Sequence, residues 1–189
     1  MDPIEVAGVA FGLWSVWLTI KEKISSWPVG IVNILLFMIL FFSVKLYADF
    51  GLQIVFLVLS VYGWWVWLHP RPGKQEVPVT LLPTRVRVGA LGASVSATFA
   101  MGFLLSHYTD AALPFWDSTT TVLSIVAQYL MARKNLECWY LWISADVLYV
   151  GIYAYKDLFL TSGLYAIFLV LAISGLLRWR KSWLRTKTA

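Results

Sequence analysis

The sequence predicts an all-α multi-pass membrane protein of seven transmembrane helices, built as two three-helix repeats joined by one linker helix. Three observations support this prediction: an apolar composition, positive charges confined to one side of a seven-span arrangement, and an internal repeat. Hydrophobic residues form 60% of the 189-residue chain and charged residues only 13%, against about 45–50% and 25% in soluble domains. A soluble fold of this composition would be nearly all core, so we expect a membrane protein.

Seven apolar runs define the predicted spans. A helix that crosses a bilayer needs about 20 apolar residues, and each run approaches that length. Short polar segments separate the runs, except for a longer proline-containing loop at residues 69–85. The predicted spans are residues 4–20, 27–44, 51–68, 86–105, 116–131, 139–155 and 158–177.

Local signals mark individual spans. The first ends at the charged segment 21–23, and the second opens at Trp27-Pro28, because proline is tolerated in the first turn of a helix. The fourth is rich in Gly, Ala and Ser, which let membrane helices approach closely. Tryptophans near span ends are typical interfacial anchors, a role we assign to Trp27, Trp64, Trp65, Trp67, Trp179 and Trp183.

The positive charges predict the orientation. Lys45 and Lys156 alone fall on one side of the seven-span arrangement. The positive-inside rule therefore predicts an outside N-terminus and a cytoplasmic C-terminus. The other basic residues share the predicted cytoplasmic side: Lys21, Lys23, Arg71, Lys74, Arg85, Arg87, Arg133, Lys134, Arg178, Arg180, Lys181, Arg185 and Lys187.

An internal repeat appears when the chain is shifted by 112 residues. The repeat divides the chain into three parts: residues 1–68 form the first repeat, 69–115 the loop and linker helix, and 116–189 the second repeat and basic tail. This is the parallel-repeat plan of small SWEET-like transporters, whose substrate site lies between the repeats near mid-membrane. Matching pairs without gaps include Trp27/Trp139, Ile31/Ile143, Gly51/Gly163, Gly63/Gly175 and Trp67/Trp179.

The run 139–155 carries one carboxylate, Asp146, near the middle of an apolar span long enough to cross a bilayer. A charge at that depth is costly unless it faces a cavity or a partner. Trp142, Tyr149 and Tyr153 are spaced to share its helical face. The pattern predicts an aromatic box around a negative charge, which suits a flat cationic ligand.

Other polar groups could complete such a site. Asp117, Thr121, Ser124 and Gln128 form a stripe on the fifth span, which indicates either contacts between helices or a wall of hydrogen-bonding groups along a substrate path. In the first repeat, Asn33 is the most interior polar residue, with Gln53, Ser60 and Trp64 along the third span. The candidate substrate-binding residues are therefore Asn33, Trp64, Ser124, Gln128, Trp142, Asp146, Tyr149 and Tyr153.

Missing motifs argue against several function classes. The chain has no Walker-type phosphate loop, so direct use of ATP is not expected. His69 and His107 lie at span ends, and the last span has no lysine that could hold retinal. We therefore expect no enzyme activity, metal site, cofactor or nucleic-acid partner.

Longer segments resemble a known family. The stretches around LYADFGLQ and YGWW, and around FWDSTTTVLSIVAQYLMARK and WYLW, are similar to the PnuC family of bacterial nicotinamide riboside transporters. The resemblance covers nearly the whole chain except the fourth span and the tails. It implies a 3+1+3 homotrimer in the inner membrane and facilitated diffusion, with a cytoplasmic kinase trapping the substrate by phosphorylation for NAD biosynthesis.

The resemblance leaves the substrate open, because relatives carry thiamine, riboflavin or deoxynucleosides. Nicotinamide riboside (vitamin B3) and thiamine are both flat cations that suit Asp146 and its aromatic neighbours. We favour the riboside, whose ribose hydroxyls match Gln128, Ser124 and Asn33, and keep thiamine as the alternative. A membrane receptor or assembly protein without transport is the alternative from a different class; the lack of a sizeable extramembrane region argues against it.

Overall fold

Seven α-helices make up the fold of the computed structural model, which describes residues 3–70, 72, 73, 75–109 and 113–188. Within these residues the only extended pairing is an isolated parallel bridge between Thr80 and Asn135. The helices are α1 (Pro3–Ile20), α2 (Ser26–Ser43), α3 (Tyr47–Leu68), α4 (Thr84–Tyr108), α5 (Pro114–Ala132), α6 (Glu137–Tyr155) and α7 (Phe159–Thr188).

All seven predicted spans are confirmed as helices, and most boundaries differ by only a few residues. The main difference is α7, which continues as a basic helix from the predicted end at 177 to Thr188. Two of the basic residues used for the orientation, Arg71 and Lys74, lie outside the described residues.

Among the described residues, five helices are long and apolar enough to cross a membrane: α1, α2, α3, α4 and α7. Helices α5 and α6 do not meet this criterion, although the sequence predicted both as spans. Helix α6 is less apolar than expected because it contains Asp146 and several Trp and Tyr residues. Helix α5 is less apolar because it carries the Ser, Thr and Gln stripe. The two most polar spans therefore depend on neighbouring helices to cover their polar faces.

Six helices form a closed ring. Helix α1 packs on α2, α2 on α3, α3 on α5, α5 on α6, α6 on α7, and α7 returns to α1. Within the part of the chain that the structure describes, α4 packs against α5 alone and stays outside the ring. The ring brings the two repeats together along two seams, α3 with α5 and α1 with α7.

The backbone confirms the internal repeat. Among the described residues, four that are not glycine have the uncommon left-handed conformation, and they fall in two pairs separated by the same 112 residues. Glu22 and Lys134 have φ of 57° and 56°, and Lys45 and Asp157 have φ of 61° and 58°. The turns that follow the first and second helices of each repeat are therefore built in the same way.

Packing inside the two repeats is also equivalent. The ring of Trp27 lies against Gly63, and the ring of Trp139 lies against Gly175, each so closely that a Cβ on the glycine would collide with the indole. Four indoles, Trp27, Trp67, Trp139 and Trp179, form what we call the tryptophan cluster; Trp27 meets Trp67 edge-on at 5.5 Å, and Trp139 meets Trp179 at 5.4 Å.

Three members of this cluster correct the sequence analysis, which treated Trp27, Trp67 and Trp179 as interfacial anchors. Their exposed fractions are 4%, 7% and 0%. The Trp67 indole donates to the Ala132 carbonyl at 3.2 Å, and the Trp179 indole donates to the Thr19 carbonyl at 3.1 Å. Each repeat therefore donates one tryptophan hydrogen bond to the other, and these two bonds join the repeats.

The tryptophan cluster lies near one end of the bundle, which we call the basic end: the turn 21–25, the loop 69–83, the turn 133–136 and the final part of α7. There the loop 69–83 is tied to the second repeat. Thr80 accepts from the Leu136 amide at 2.9 Å and donates its own amide to the Lys134 carbonyl at 3.1 Å. Glu137 accepts from the Leu82 amide at 3.0 Å and pairs with Arg87 at 2.8 Å.

Candidate functional site

A cavity of about 340 Å³ lies inside the ring, within the size range of small-molecule sites. All six ring helices contribute to its wall, and the described residues of α4 do not. Its polar and aromatic lining includes Ser15, Thr19, Ser26, Trp27, Asn33, Gln53, Ser60, Gln128, Trp139, Trp142, Asp146, Tyr165 and Phe168.

Much of this wall is built from repeat-equivalent positions. Pairs that both line the cavity include Val16/Gln128, Gly30/Trp142, Ile34/Asp146, Gln53/Tyr165 and Ser60/Ala172. Most of these pairs place the larger or more polar side chain in the second repeat. The two repeats therefore contribute equivalent backbone positions with different side chains, and the carboxylate among the described lining residues lies in the second repeat.

Asp146 is the carboxylate of the wall. It is 5% exposed, and among the described residues its side chain forms no hydrogen bond or ion pair. No Lys, Arg or His is found among the described residues of the lining. Trp142, one turn away on α6, also lines the cavity and has a buried indole N–H without a hydrogen-bond partner in the described part of the chain. This wall offers a carboxylate, an aromatic face and a free donor.

Two amides predicted from the sequence also reach the cavity. Gln128 of α5 donates to the Ser60 hydroxyl of α3 at 3.1 Å, across one seam between the repeats. Asn33 of α2 donates to the Gly8 carbonyl of α1 at 2.7 Å. In each case the amide oxygen has no protein donor among the described residues, so it can accept from a ligand hydroxyl.

The other four candidate residues do not line the cavity. Tyr149 and Tyr153 stack on Tyr165 of α7, with ring centroids 4.4 Å and 5.3 Å apart. Ser124 is 3% exposed and interacts with the phenol of Tyr149. Trp64 is 37% exposed on α3, away from the cavity wall. The predicted aromatic box is therefore divided between the cavity and the α6–α7 contact.

Tyr165 is the main residue that the sequence analysis missed. Its ring lines the cavity and stacks on both tyrosines of α6. Tyr165 therefore provides the aromatic wall that the sequence analysis expected from Tyr149 and Tyr153. The repeat could have identified it, because Tyr165 is equivalent to Gln53, a polar residue already noted in the third span. Applying the 112-residue shift to every polar position would have shown the match.

No metal site is apparent in the described ranges, where no group of three or more His, Cys, Asp or Glu side chains could hold an ion. What the cavity offers is binding: one negative charge, aromatic faces and amide groups between two repeats. In the described part of the wall, no serine or threonine hydroxyl is hydrogen-bonded to a carboxylate or an imidazole, the pairing that activates a nucleophile.

Comparisons with known proteins agree with this geometry. Residues 2–181 match the nicotinamide mononucleotide transporter family. The chain is 32% identical to the nicotinamide riboside transporter PnuC of Escherichia coli K12, over 95% of this chain and 85% of that protein. It is 25% identical to the riboflavin/roseoflavin transporter RibM of Streptomyces davaonensis, over 97% of this chain and 85% of that protein.

A solved structure is similar over the same extent. The crystal structure of the vitamin B3 transporter PnuC matches with a TM-score of 0.78 and 28% identity, over 96% of this chain and 82% of that one. That protein and the sequence relatives are transporters, not enzymes. The chain therefore belongs to the nicotinamide mononucleotide transporter family and is a membrane transporter.

Proposed function

We propose that this protein carries nicotinamide riboside across the membrane, with the riboside held in the cavity between the two repeats. The observation that carries the proposal is Asp146, a carboxylate without a partner among the described residues, with the Trp142 indole one turn away on the same wall. The pyridinium ring of the riboside is a flat cation that the carboxylate can attract and the face of the indole can stack on, and a cation–π contact contributes about 0.5–2 kcal/mol.

The same wall argues for the riboside and against its phosphorylated form. A phosphate monoester carries close to two negative charges near neutral pH, and the described lining contains no cationic side chain to neutralise them. Asp146 would repel the phosphate as well. The mononucleotide in the family's name is thus a poorer fit than the nucleoside named in the relatives.

The remaining groups suit the sugar. The free oxygens of Gln128 and Asn33 can accept from ribose hydroxyls, and Tyr165 offers a ring face to the heterocycle. We include Tyr165 in the proposed site. Tyr149, Tyr153 and Ser124 act behind it by fixing its position, and Trp64 has no contact role in the cavity.

A second candidate is another flat vitamin. The relative named as a riboflavin/roseoflavin transporter makes riboflavin a real competitor, and thiamine shares the cationic ring of the riboside. Asp146 favours the two cations over neutral riboflavin, because an unpaired buried carboxylate gains most from a positive ligand.

We further propose passive movement of the unphosphorylated vitamin, trapping inside by a kinase, a homotrimeric assembly and an inner-membrane location. The basic end would face the cytoplasm, in line with the positive-inside rule. The experiment that tests the substrate is a binding titration of the purified protein with nicotinamide riboside, nicotinamide mononucleotide, thiamine and riboflavin. Tightest binding to the riboside is expected; tighter binding to the mononucleotide would overturn the assignment.

A further inference from the structure

An ion pair joins the two repeats at the basic end. Lys134 Nζ lies 2.8 Å from Glu22 Oε2, with side-chain exposed fractions of 2% and 16%. Glu22 lies in the turn between α1 and α2, and Lys134 in the turn between α5 and α6. These are the repeat-equivalent residues with left-handed backbone described above, so one structural position carries a negative charge in one repeat and a positive charge in the other.

The pair lies directly beyond the tryptophan cluster. Lys134 Nζ is 4.8 Å from the ring centroid of Trp67. Trp67 in turn contacts the rings of Trp27 and Trp179, at 5.5 Å and 6.1 Å. Because Trp27 and Trp139 line the cavity, a solute leaving toward the basic end would meet the indoles first and then the ion pair.

The Lys134 backbone is held independently of its side chain. Its carbonyl accepts from the Thr80 amide at 3.1 Å, and its own amide donates to the Met131 carbonyl at 2.9 Å. The turn can therefore keep its shape when the Lys134 ammonium leaves Glu22. A buried ion pair adds little net stability, because desolvation of the charges offsets their attraction, but it fixes which surfaces meet.

We propose that Glu22 and Lys134 form the latch of an inner gate, closed in this structure and separated each time the two repeats open the cavity toward the basic end. The latch rests on the proposed transport of a solute through the cavity. Its residues do not touch the solute; they position the two repeats. Opening would part the turns 21–25 and 133–136 and let water reach the tryptophan cluster.

Charge reversal tests the latch through transport. Glu22→Lys and Lys134→Glu each place two like charges together, and like charges cannot share a buried site. Each variant should therefore change the rate of riboside counterflow in liposomes by about tenfold. The double variant Glu22→Lys/Lys134→Glu restores an ion pair and should recover transport. The matched control is Arg87→Gln, which breaks a pair of the same 2.8 Å length that lies away from the cavity. Wild-type rates in both single variants would overturn the latch.

Thiol accessibility tests the gate without any substrate. Cys138 is the single cysteine, so a Cys138→Ser background accepts a reporter, Ser26→Cys, at a buried cavity position. A membrane-impermeant thiol reagent applied to the basic end should label the reporter severalfold faster in Lys134→Glu than with the latch intact. The double reversal should slow labelling again, and it controls for misfolding of the single variant. Equal labelling in all three would reject the gate, even if riboside were not the substrate.

Discussion

Ile34 and Asp146 occupy the same place in the two repeats, and both side chains line the cavity. One is an aliphatic chain and the other a carboxylate, on backbones related by the same 112-residue shift. Among the described lining residues the carboxylate therefore comes from the second repeat, while the equivalent position in the first repeat is aliphatic. In the proposed site, a cationic ligand would be attracted to one side of a cavity whose two halves share the same backbone plan.

The first prediction concerns Asp146→Asn, which keeps the shape of the side chain and removes its charge. Binding of nicotinamide riboside should weaken by about 1–3 kcal/mol, or roughly 5–150-fold, because a charge-assisted contact is lost. The reduced riboside, whose ring is uncharged, should lose far less. The measurement is a titration of purified protein with both ligands.

Asp117→Asn is the matched control, since Asp117 lies in α5 and does not line the cavity. It should bind both ligands as the wild type does. If Asp146→Asn weakened the charged and the reduced riboside equally, the carboxylate would be a structural group and not a counter-charge.

The second prediction uses the two glycines under the tryptophans. Gly63→Ala and Gly175→Ala each push a methyl group into an indole, and overpacking of this kind costs about 1–3 kcal/mol. Both variants should therefore unfold at lower temperature in detergent, by similar amounts, because the two contacts are equivalent. Gly151→Ala is the control: nothing lies within 4 Å of its added Cβ, and alanine favours a helix by about 1 kcal/mol. A large difference in unfolding temperature between Gly63→Ala and Gly175→Ala would show that the two glycine–tryptophan contacts are not equivalent in energy.

The third prediction concerns energetics. Riboside counterflow in liposomes should proceed without ATP and without a proton or sodium gradient, because the sequence has no phosphate-binding loop and the described lining of the cavity holds a single carboxylate. Strict dependence on either gradient would contradict passive transport, and strict dependence on the proton gradient would make Asp146 a candidate proton carrier.

The fourth prediction concerns orientation. Reporter fusions placed in the loop 69–83 and after Ala189 should both report the cytoplasm, because both belong to the basic end. A fusion in the segment 156–158, between α6 and α7, should report the opposite face. If either of the first two fusions reported the outer face, the charge-based orientation would be wrong. A complete inversion of all three would reverse the proposed direction of the inner gate.

The sequence was sufficient for the helices and the repeat. Apolar length fixes where a span can lie, and the pairs Trp27/Trp139 and Gly63/Gly175 recur as real packing contacts. The roles of the tryptophans were less predictable. Trp27 and Trp67 lie near span ends, where most tryptophans face the interface, and only the way the ring closes shows that they are buried.

The candidate site was also predictable in part. Asp146, Trp142, Gln128 and Asn33 reach the cavity, as expected for polar or amphipathic groups within apolar spans. Tyr149 and Tyr153 share a helical face with Asp146, but a shared face does not determine which neighbour covers it. Tyr165 comes from another helix, and periodicity within α6 carries no information about it.

The contact between α1 and α7 has a consequence for how the protein is made. The acceptor for the Trp179 indole is the Thr19 carbonyl, 160 residues earlier in the chain, and the ring closes only through that last helix. While the ribosome is still producing α7, the carboxylate of α6 has no enclosed chamber to face. An unfinished chain therefore has no enclosed cavity, and a chain truncated before α7 would leave the ring open between α6 and α1.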